Sequence, residues 1–134
     1  MAAKALVVDA SVVIRAALVD GGFTSLAGRG LHAPSLLWSE VASGLTQLAW
    51  RADISPDEAS AALDRLLAAP LHAHPSAELV HSAVDIARTL GWAKTYDAEY
   101  VALAQVLGLP LLTFDARLAR RIGHLVTIAH AQDL

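Results

Sequence analysis

The sequence predicts an α/β protein with three α/β/α layers, in which a central, mainly parallel sheet is flanked by helices on both faces. Short, almost continuously apolar segments alternate with longer amphipathic segments, and glycine or proline marks most of the junctions. No repeat or polar linker divides the chain. Apolar strands that alternate with helices are typical of a parallel sheet covered on both faces.

In the first half of the chain, residues 4–8 form an apolar strand and residues 11–19 the helix after it. A glycine-rich loop follows, and a short strand at 31–33 ends at Pro34. A helix is predicted at 35–51 from its apolar stripe. Ser55, Pro56 and Glu58 combine an N-cap, a proline at N1 and a capping-box acid, so the next helix begins there and ends near residue 69.

In the second half, a strand at 71–74 precedes a helix at 76–90 that Gly91 ends. A helix at 96–107 ends at Gly108, and residues 110–114 form the strongest later strand. A short helix at 115–122 and a strand at 125–129 complete the pattern. Sites in such folds lie at the carboxyl ends of the strands.

Size and composition predict one domain spanning residues 1–134. No apolar stretch is long enough for a membrane span, and the run after Lys4 ends at Asp9, too early for a secretory signal. We therefore expect a soluble cytoplasmic protein. The absence of cysteine excludes disulfides and thiolate chemistry. A net charge of −3 argues against nonspecific coating of nucleic acid, but it is compatible with a nuclease whose acids bind divalent metal.

Four acids occupy apolar settings: Asp9 and Asp115 each follow a strand, and Glu40 and Asp97 lie on helices. Each has an ordinary explanation when taken alone, as an N-cap, a first-turn acid or a solvated helix residue. Together, two strand-end acids on neighbouring strands would meet at one sheet edge. Clustered carboxylates repel one another unless a cation is bound, and Mg²⁺ or Mn²⁺ is the natural partner of oxygen ligands.

For several residues near these acids, the sequence allows more than one role. Ser11 and Thr113 could orient a carboxylate or a metal-bound water, or serve only in capping and packing. Glu99 lies two positions from Asp97, so it is predicted to point away from the site, at the surface. Basic residues could steer a phosphate backbone or form a solvated helix face; they are Lys94, Arg117, Arg120 and Arg121.

Histidines and tryptophans are assigned structural roles. His72 and His74 would share one face of a strand as two zinc ligands, but no third ligand is identifiable from spacing, and His32 shows no pattern with them. The tryptophans are interpreted as packing or interface residues rather than base-stacking platforms; they are Trp38, Trp50 and Trp92.

Four segments resemble the PIN domain, and more closely the VapC toxins of bacterial toxin–antitoxin pairs. They are VVDAS at 7–11, SEV at 39–41, TYDAEYVALA at 95–104 and LTFD at 112–115. The resemblance spans essentially the whole chain in order and spacing. Two positions depart from it: Ser43 stands where the family often has asparagine, and Thr113 where some members have a further acid.

The resemblance implies a three-layer PIN fold and a Mg²⁺- or Mn²⁺-dependent endoribonuclease. The implied catalytic and metal-binding quartet is Asp9, Glu40, Asp97 and Asp115. It also implies a cognate VapB-like antitoxin that occupies a groove near the acids, a homodimer, and contact with DNA only through the antitoxin. Candidate groove walls are the helices around 38–50 and 55–67, whose apolar stripes could equally pack in the core.

Two other readings compete with the nuclease. A regulatory protein of this fold would bind an antitoxin in a DNA complex without significant cleavage, but it would have no need of four acids. A phosphoryl-transfer enzyme or receiver domain with Asp9 as nucleophile usually needs a strand-end lysine, and Lys94 does not follow a strand. A dinucleotide-binding fold is excluded because no G-x-G-x-x-G follows the first strand.

Overall fold

The computed structural model describes residues 4–130, in which five strands form one sheet. The strands are β1 (Leu6–Val8), β2 (Leu31–Pro34), β3 (Leu71–His74), β4 (Leu111–Leu112) and β5 (Ile128–Ala129). They lie in the order β3-β2-β1-β4-β5, and every pairing is parallel. The predicted α/β/α class is confirmed. The short ends of the predicted domain, residues 1–3 and 131–134, lie outside the described range.

The same residues form six α-helices and two 3₁₀ turns. The helices are α1 (Ala10–Ala17), α2 (Leu37–Trp50), α3 (Pro56–Ala68), α4 (Val80–Leu90), α5 (Tyr96–Leu107) and α6 (Ala116–Ile122). The turns are Thr24–Leu26 and Ser76–Glu78. Between residues 4 and 130, no helix is long and apolar enough to cross a membrane.

The strand order places β1 at the centre of the sheet and reverses the direction of winding there. The chain moves from β1 through β2 to β3 on one side, then returns past β1 to β4 and β5. Helices α1, α2 and α3 pack on one another, as do α4 and α5. Right-handed crossovers place these two groups on opposite faces of the sheet. A site in such a sheet is expected beyond the carboxyl ends of β1 and β4.

Helix α5 is the buried central helix of the second layer. All residues from Ala98 to Ala104 are buried, and the helix packs against β1, β2 and α4. Small side chains permit this close approach: Ala98 packs with Ala83 and Ala87 of α4. Gly91, with φ of +71°, ends α4 in the left-handed conformation that glycine adopts without strain.

Some predicted boundaries are wrong because loop residues take other hydrogen bonds. The helix predicted from residue 35 begins at Leu37, because the Ser35 N–H donates to the His74 carbonyl at 2.7 Å and extends the β2–β3 pairing. The segment predicted as helix 76–90 starts with a 3₁₀ turn, since the Ser76 N–H donates to Ser35 Oγ at 3.1 Å. The strand predicted at 110–114 ends at Leu112. Thr113 and Phe114 lie outside it and form hydrogen bonds with Asp9 and Ser11 at the end of β1.

The capping box of α3 supports a stability prediction. Ser55 Oγ accepts from the Glu58 N–H at 3.0 Å, and the Glu58 carboxylate accepts from the Ser55 N–H at 3.1 Å. We expect Ser55→Ala to lower the free energy of unfolding by about 1 kcal/mol, measured by urea denaturation, because one N-terminal N–H loses its partner. Ser60→Ala, an exposed change within the same helix, is the control and should not destabilise. Equal losses in the two variants would contradict the capping account.

Candidate active site

Asp9 lies at the carboxyl end of the central strand, against the end of its neighbour. Val8 of β1 is in register with Leu112 of β4, so the residues that follow them emerge at the same edge. The Asp9 N–H donates to the Leu112 carbonyl at 3.3 Å. Only 6% of Asp9 is exposed, so its carboxylate is buried at the point where the two strands end.

Three donors hold the Asp9 carboxylate. Ser11 Oγ donates to Oδ1 at 2.6 Å, the Val12 N–H donates to the same oxygen at 3.2 Å, and Thr113 Oγ1 donates to Oδ2. Ser11 and Thr113 therefore orient this carboxylate, the first of the roles considered for them. Asp9 is also the N-cap of α1. The same carboxylate therefore caps a helix and belongs to the candidate site.

The same two hydroxyls join Asp9 to the loop before α6. Ser11 Oγ accepts from the Phe114 N–H at 3.0 Å, and Thr113 Oγ1 accepts from the Asp115 N–H at 3.0 Å. Asp115 then caps α6 through Oδ1, which accepts from the Leu118 N–H at 3.0 Å. Its side chain remains exposed. The two strand-end acids are thus parts of one hydrogen-bonded network.

Glu40 and Asp97 reach the site from two helices. Glu40 lies in the first turn of α2, half-buried, and accepts a 2.6 Å hydrogen bond at Oε1 from the Tyr100 hydroxyl. Asp97 lies in the first turn of α5, three residues before Tyr100; the residue as a whole is exposed, but its carboxyl group is partly buried. Tyr100 is only 1% exposed, and it connects α5 to α2. Sequence reasoning missed its role, although the i,i+3 spacing from Asp97 places it near the same helix face.

The four carboxylates share one electrostatic environment. Burial raises the pKa of Asp9, and Asp115 adds repulsion. Burial likewise raises the pKa of Glu40 and of Asp97; Asp97 and Asp9 repel Glu40, while Asp9 and Asp115 repel Asp97. Burial, followed by the bond to Glu40, raises the pKa of Tyr100, which therefore stays protonated and donates. Each of the four acids therefore lies within electrostatic range of at least one other.

Positive charge lies near the quartet without pairing with it. An open cleft of about 470 Å³ is lined by eleven residues that include Glu40, Asp97 and Asp115; we call it the acidic cleft. Lys94, Arg117 and Arg121 line other parts of it. Among residues 4–130, no lysine or arginine forms an ion pair with any of the four acids. Of the three arginines near the C-terminus, Arg117 and Arg121 line the acidic cleft, whereas Arg120 is exposed and lies outside it.

The donor set has the chemistry of a hard-cation site. All four candidate ligands are carboxylates, which suit Mg²⁺ or Mn²⁺, and their burial and mutual repulsion would be relieved by a cation. In the described part of the chain, no three histidine or acidic side chains are placed so that they could together hold one ion. The residues therefore fit a cation by charge and by ligand type, with at most two carboxylates converging as the side chains stand.

The prediction for Glu99 is wrong. Its side chain is only 5% exposed rather than at the surface, because α5 is covered on nearly every side. Oε1 of Glu99 has no hydrogen-bond partner among the described residues, and its charge contributes to raising the pKa of Glu40. Counting helix positions from Asp97 predicted that Glu99 points off the site face of the helix. It did not show that the side on which Glu99 lies is also buried.

The histidines of the sheet form a group that spacing did not identify. His32 Nδ1 lies 2.9 Å from His74 Nε2, at hydrogen-bond distance, and the His32 ring stacks 5.1 Å from the His72 ring. His32 was expected to be unrelated to the other two, and that expectation is wrong. Strand pairing joins them, since His32 is in register with His72. Burial and the neighbouring histidines lower the pKa of His32, so the neutral ring is favoured.

The fold and this site define the class of protein. The PIN-domain family model matches residues 6–124, and the chain belongs to the PIN-domain family. The crystal structure of PAE2754 from Pyrobaculum aerophilum superimposes with a TM-score of 0.66 at 23% identity, covering 88% of this chain and 79% of that one. This likeness supports the fold.

Within the family, the sequence is of the VapC type. A VapC ribonuclease of Mycobacterium bovis is 38% identical over 115 residues, which cover 85% of this chain and 88% of the relative. Ribonuclease VapC1 of Mycobacterium tuberculosis is 38% identical over 124 residues, covering 87% of this chain and 90% of the relative. Ribonuclease VapC3 of Pyrobaculum aerophilum is 40% identical over 99 residues, covering 72% and 75%. The resemblance found in the four segments is confirmed.

Repulsion at the site predicts that Asp97→Asn stabilises the metal-free protein. Because the pKa of Asp97 is raised in the folded state, ionising it costs stability as the pH rises through that pKa. In EDTA at pH 7.5 we expect the variant to raise Tm by about 1–2 °C, the range of a modest change at an exposed site. The gain should disappear as the pH falls towards about 4, where the unfolded carboxyl also protonates.

Asp85→Asn is the matched control for this measurement. Asp85 is an exposed aspartate of α4 outside the acidic cleft, so its replacement should change Tm little at any pH. Differential scanning fluorimetry across the pH range measures both variants. A lower Tm for Asp97→Asn in EDTA at pH 7.5 would contradict the repulsion account, because the favourable helix-terminus interaction would then dominate.

Proposed function

We propose that this protein is the toxin of a type II toxin–antitoxin pair and acts as a Mg²⁺- or Mn²⁺-dependent endoribonuclease. The observation that supports the proposal is the electrostatic repulsion among Asp9, Glu40, Asp97 and Asp115, none of which has a basic partner among residues 4–130. Relatives at 38% identity are named VapC ribonucleases. A structural role does not require four mutually repelling carboxylates in one place.

The four acids would hold the cation, which when bound polarises the scissile phosphate and lowers the pKa of a water. Mg²⁺ commonly keeps several waters and uses one or two carboxylates together with substrate phosphates. This coordination preference of Mg²⁺ is compatible with the side-chain arrangement, in which no three acids of the described residues could hold one ion.

Residues of the chain orient Asp9, activate the attacking water and bind the RNA backbone. Ser11 and Thr113 fix the orientation of Asp9. Glu40 and Asp97 have raised pKa values, which makes them better proton acceptors, and one of them orients or deprotonates the attacking water. In-line attack leaves a 5′-phosphate and a 3′-hydroxyl. Lys94, Arg117 and Arg121 line the acidic cleft and contact the RNA backbone.

The cognate VapB-like antitoxin belongs to the same proposal. A second cleft of about 480 Å³ runs along α2 and shares Glu40 and Tyr96 with the acidic cleft. Trp50 and Leu67, at the ends of α2 and α3, are 86% and 68% exposed. An apolar antitoxin segment that covered these helices could continue into the acidic site. The proposal includes a homodimer, and contact with DNA only through the antitoxin.

Cleavage of RNA tests the proposal directly. Purified protein free of antitoxin should cut total cellular RNA into discrete fragments with Mg²⁺ or Mn²⁺, and EDTA should abolish the reaction. Asp9→Asn and Asp97→Asn should each lower the rate at least about 100-fold, because each removes a carboxylate of the proposed cation site. Asp85→Asn should cleave like the wild type. Absence of cleavage by folded protein at every metal concentration would instead support the regulatory, DNA-bound role.

Tyr100 is predicted to be a positioning residue that acts through Glu40. Tyr100→Phe removes the hydroxyl that donates to Glu40 Oε1, and outer-shell changes of this kind weaken metal binding about tenfold or more. We expect about a tenfold weaker Mn²⁺ affinity, measured by isothermal titration calorimetry in the absence of RNA. Tyr96→Phe, which alters an exposed tyrosine of the same cleft, should leave the affinity unchanged. Equal Mn²⁺ affinities for Tyr100→Phe and wild type would refute the role.

A further inference from the structure

Three histidines occupy one face of the sheet at its β3 edge. His32 belongs to β2, and His72 and His74 belong to β3, the outer strand. Residues two apart on a strand point to the same face, and His32 is in register with His72, so all three side chains project from one face. None of them is among the residues that line the acidic cleft. The histidine group is therefore separate from the four acids.

Two of these histidines bring ring nitrogens together. His32 Nδ1 lies 2.9 Å from His74 Nε2, and the two rings are 5.1 Å apart and tilted by 39°. The pair is diagonal across two strands, within the reach of long side chains. His72 instead stacks its ring on that of His32. The sequence suggested His72 and His74 as two zinc ligands, but the structure pairs His74 with His32.

The backbone holds this histidine pair in place. Four residue pairs in register join β2 to β3, the last of them Pro34 with His74. Beyond the strand end, the Ser35 N–H donates to the His74 carbonyl at 2.7 Å, and the Ser76 N–H donates to Ser35 Oγ at 3.1 Å. The two histidines are therefore positioned by regular strand pairing and not by a loop.

The three rings are open to solvent and have no acidic partner. His72 is exposed, and His32 and His74 are partly exposed. No acidic side chain of residues 4–130 forms an ion pair with any of them. Burial, followed by the neighbouring histidines, lowers the pKa of His32, so its ring is neutral at pH 7. Neutral imidazole is a common ligand of transition metals.

We propose that His32 Nδ1 and His74 Nε2 form a two-histidine site for a divalent transition-metal ion, Cu²⁺ or Ni²⁺. Nitrogens about 2.1 Å from one ion are about 3.0 Å apart at a right angle and about 3.4 Å apart at the tetrahedral angle. The observed 2.9 Å fits the right angle, which suits Cu²⁺ and Ni²⁺ better than Zn²⁺. No three histidine or acidic side chains of residues 4–130 could hold one ion, so water completes the coordination.

Binding requires one proton to change position. In the metal-free pair a proton lies between the two nitrogens, and either ring can be its donor. When the ion binds, that proton leaves for water and the far nitrogen of the same ring takes one up, so the ring keeps its charge. Both facing nitrogens then donate lone pairs to the ion. Two metal–nitrogen bonds replace one hydrogen bond between β2 and β3, so binding stabilises the outer strand.

Isothermal titration calorimetry of the untagged protein with Ni²⁺ tests the site. Millimolar Mg²⁺ is present throughout, because it competes for carboxylates but not for imidazole. The wild type should bind one Ni²⁺ ion. His32→Gln and His74→Gln should each weaken binding by more than about tenfold, since loss of a ligand costs at least as much as loss of an outer-shell partner. His72→Gln, on the same face, should bind like the wild type.

A second control removes the histidines that lie outside the group. A variant in which all three are replaced by glutamine should keep the wild-type Ni²⁺ affinity, because each of them is exposed and none has a histidine partner among residues 4–130. They are His81, His124 and His130.

Two further readouts report on the ligands and on the folded state. Pulsed electron paramagnetic resonance of bound Cu²⁺ should detect two imidazoles in the wild type and one in His74→Gln. At about a hundredfold excess over Kd, Ni²⁺ should raise Tm of the wild type and of His72→Gln by about 5 °C. Tm in EDTA shows whether each variant is folded, and either ligand variant alone is sufficient for the test.

Three outcomes would overturn the site. Absence of Ni²⁺ and Cu²⁺ binding by the folded wild type would leave His32 and His74 as a hydrogen-bonded pair that only holds β3. Unchanged Ni²⁺ affinity in a folded ligand variant would place the ion elsewhere. Equal losses in His72→Gln and His74→Gln would show general attraction to exposed histidines. RNA cleavage is not part of this test, so its result and that of the nuclease assay are independent.

Discussion

A buried carboxylate at the end of the central strand is the constraint around which this structure is arranged. Asp9 is almost inaccessible to solvent, and a buried charge costs stability unless hydrogen bonds satisfy it. Those bonds come from the next helix and from the neighbouring strand end, through Ser11 and Thr113. Satisfying Asp9 therefore fixes α1, β4 and the loop before α6 relative to one another. The hydrogen bonds that orient the Asp9 carboxylate in the proposed site are thus the same bonds that join these elements.

The second constraint is the burial of α5, which places two further carboxylates near the first. Small residues let this helix pack closely on the sheet and on α4, so that its first turn reaches the edge where Asp9 lies. The Tyr100 hydroxyl then holds Glu40 of α2, which lies in the other helical layer. Helices from the two layers thus contribute acids to one cleft. The mutual repulsion that raises their pKa values is a cost that a bound cation would relieve.

The balance of charge across the cleft explains how a chain of net charge −3 can be proposed to act on RNA. Glu40, Asp97 and Asp115 line the acidic cleft, while Lys94, Arg117 and Arg121 line other parts of it without forming ion pairs with these acids among the described residues. A phosphodiester needs both features: positive charge to bind it, and carboxylates to hold the ion that activates it. Spatial separation of the two kinds of charge, rather than net charge, is what the proposed chemistry requires.

The sequence by itself determined the fold class and the order of the elements and singled out four candidate acids, because apolar periodicity, capping residues and acids in apolar settings are local signals. Tertiary structure alone decided the bond from Tyr100 to Glu40, the grouping of His32 with His72 and His74, and the burial of Glu99. Each depends on which strands pair and on how many sides of a helix are covered. Those are relations between segments distant in the chain, and residue spacing within one segment carries no information about them.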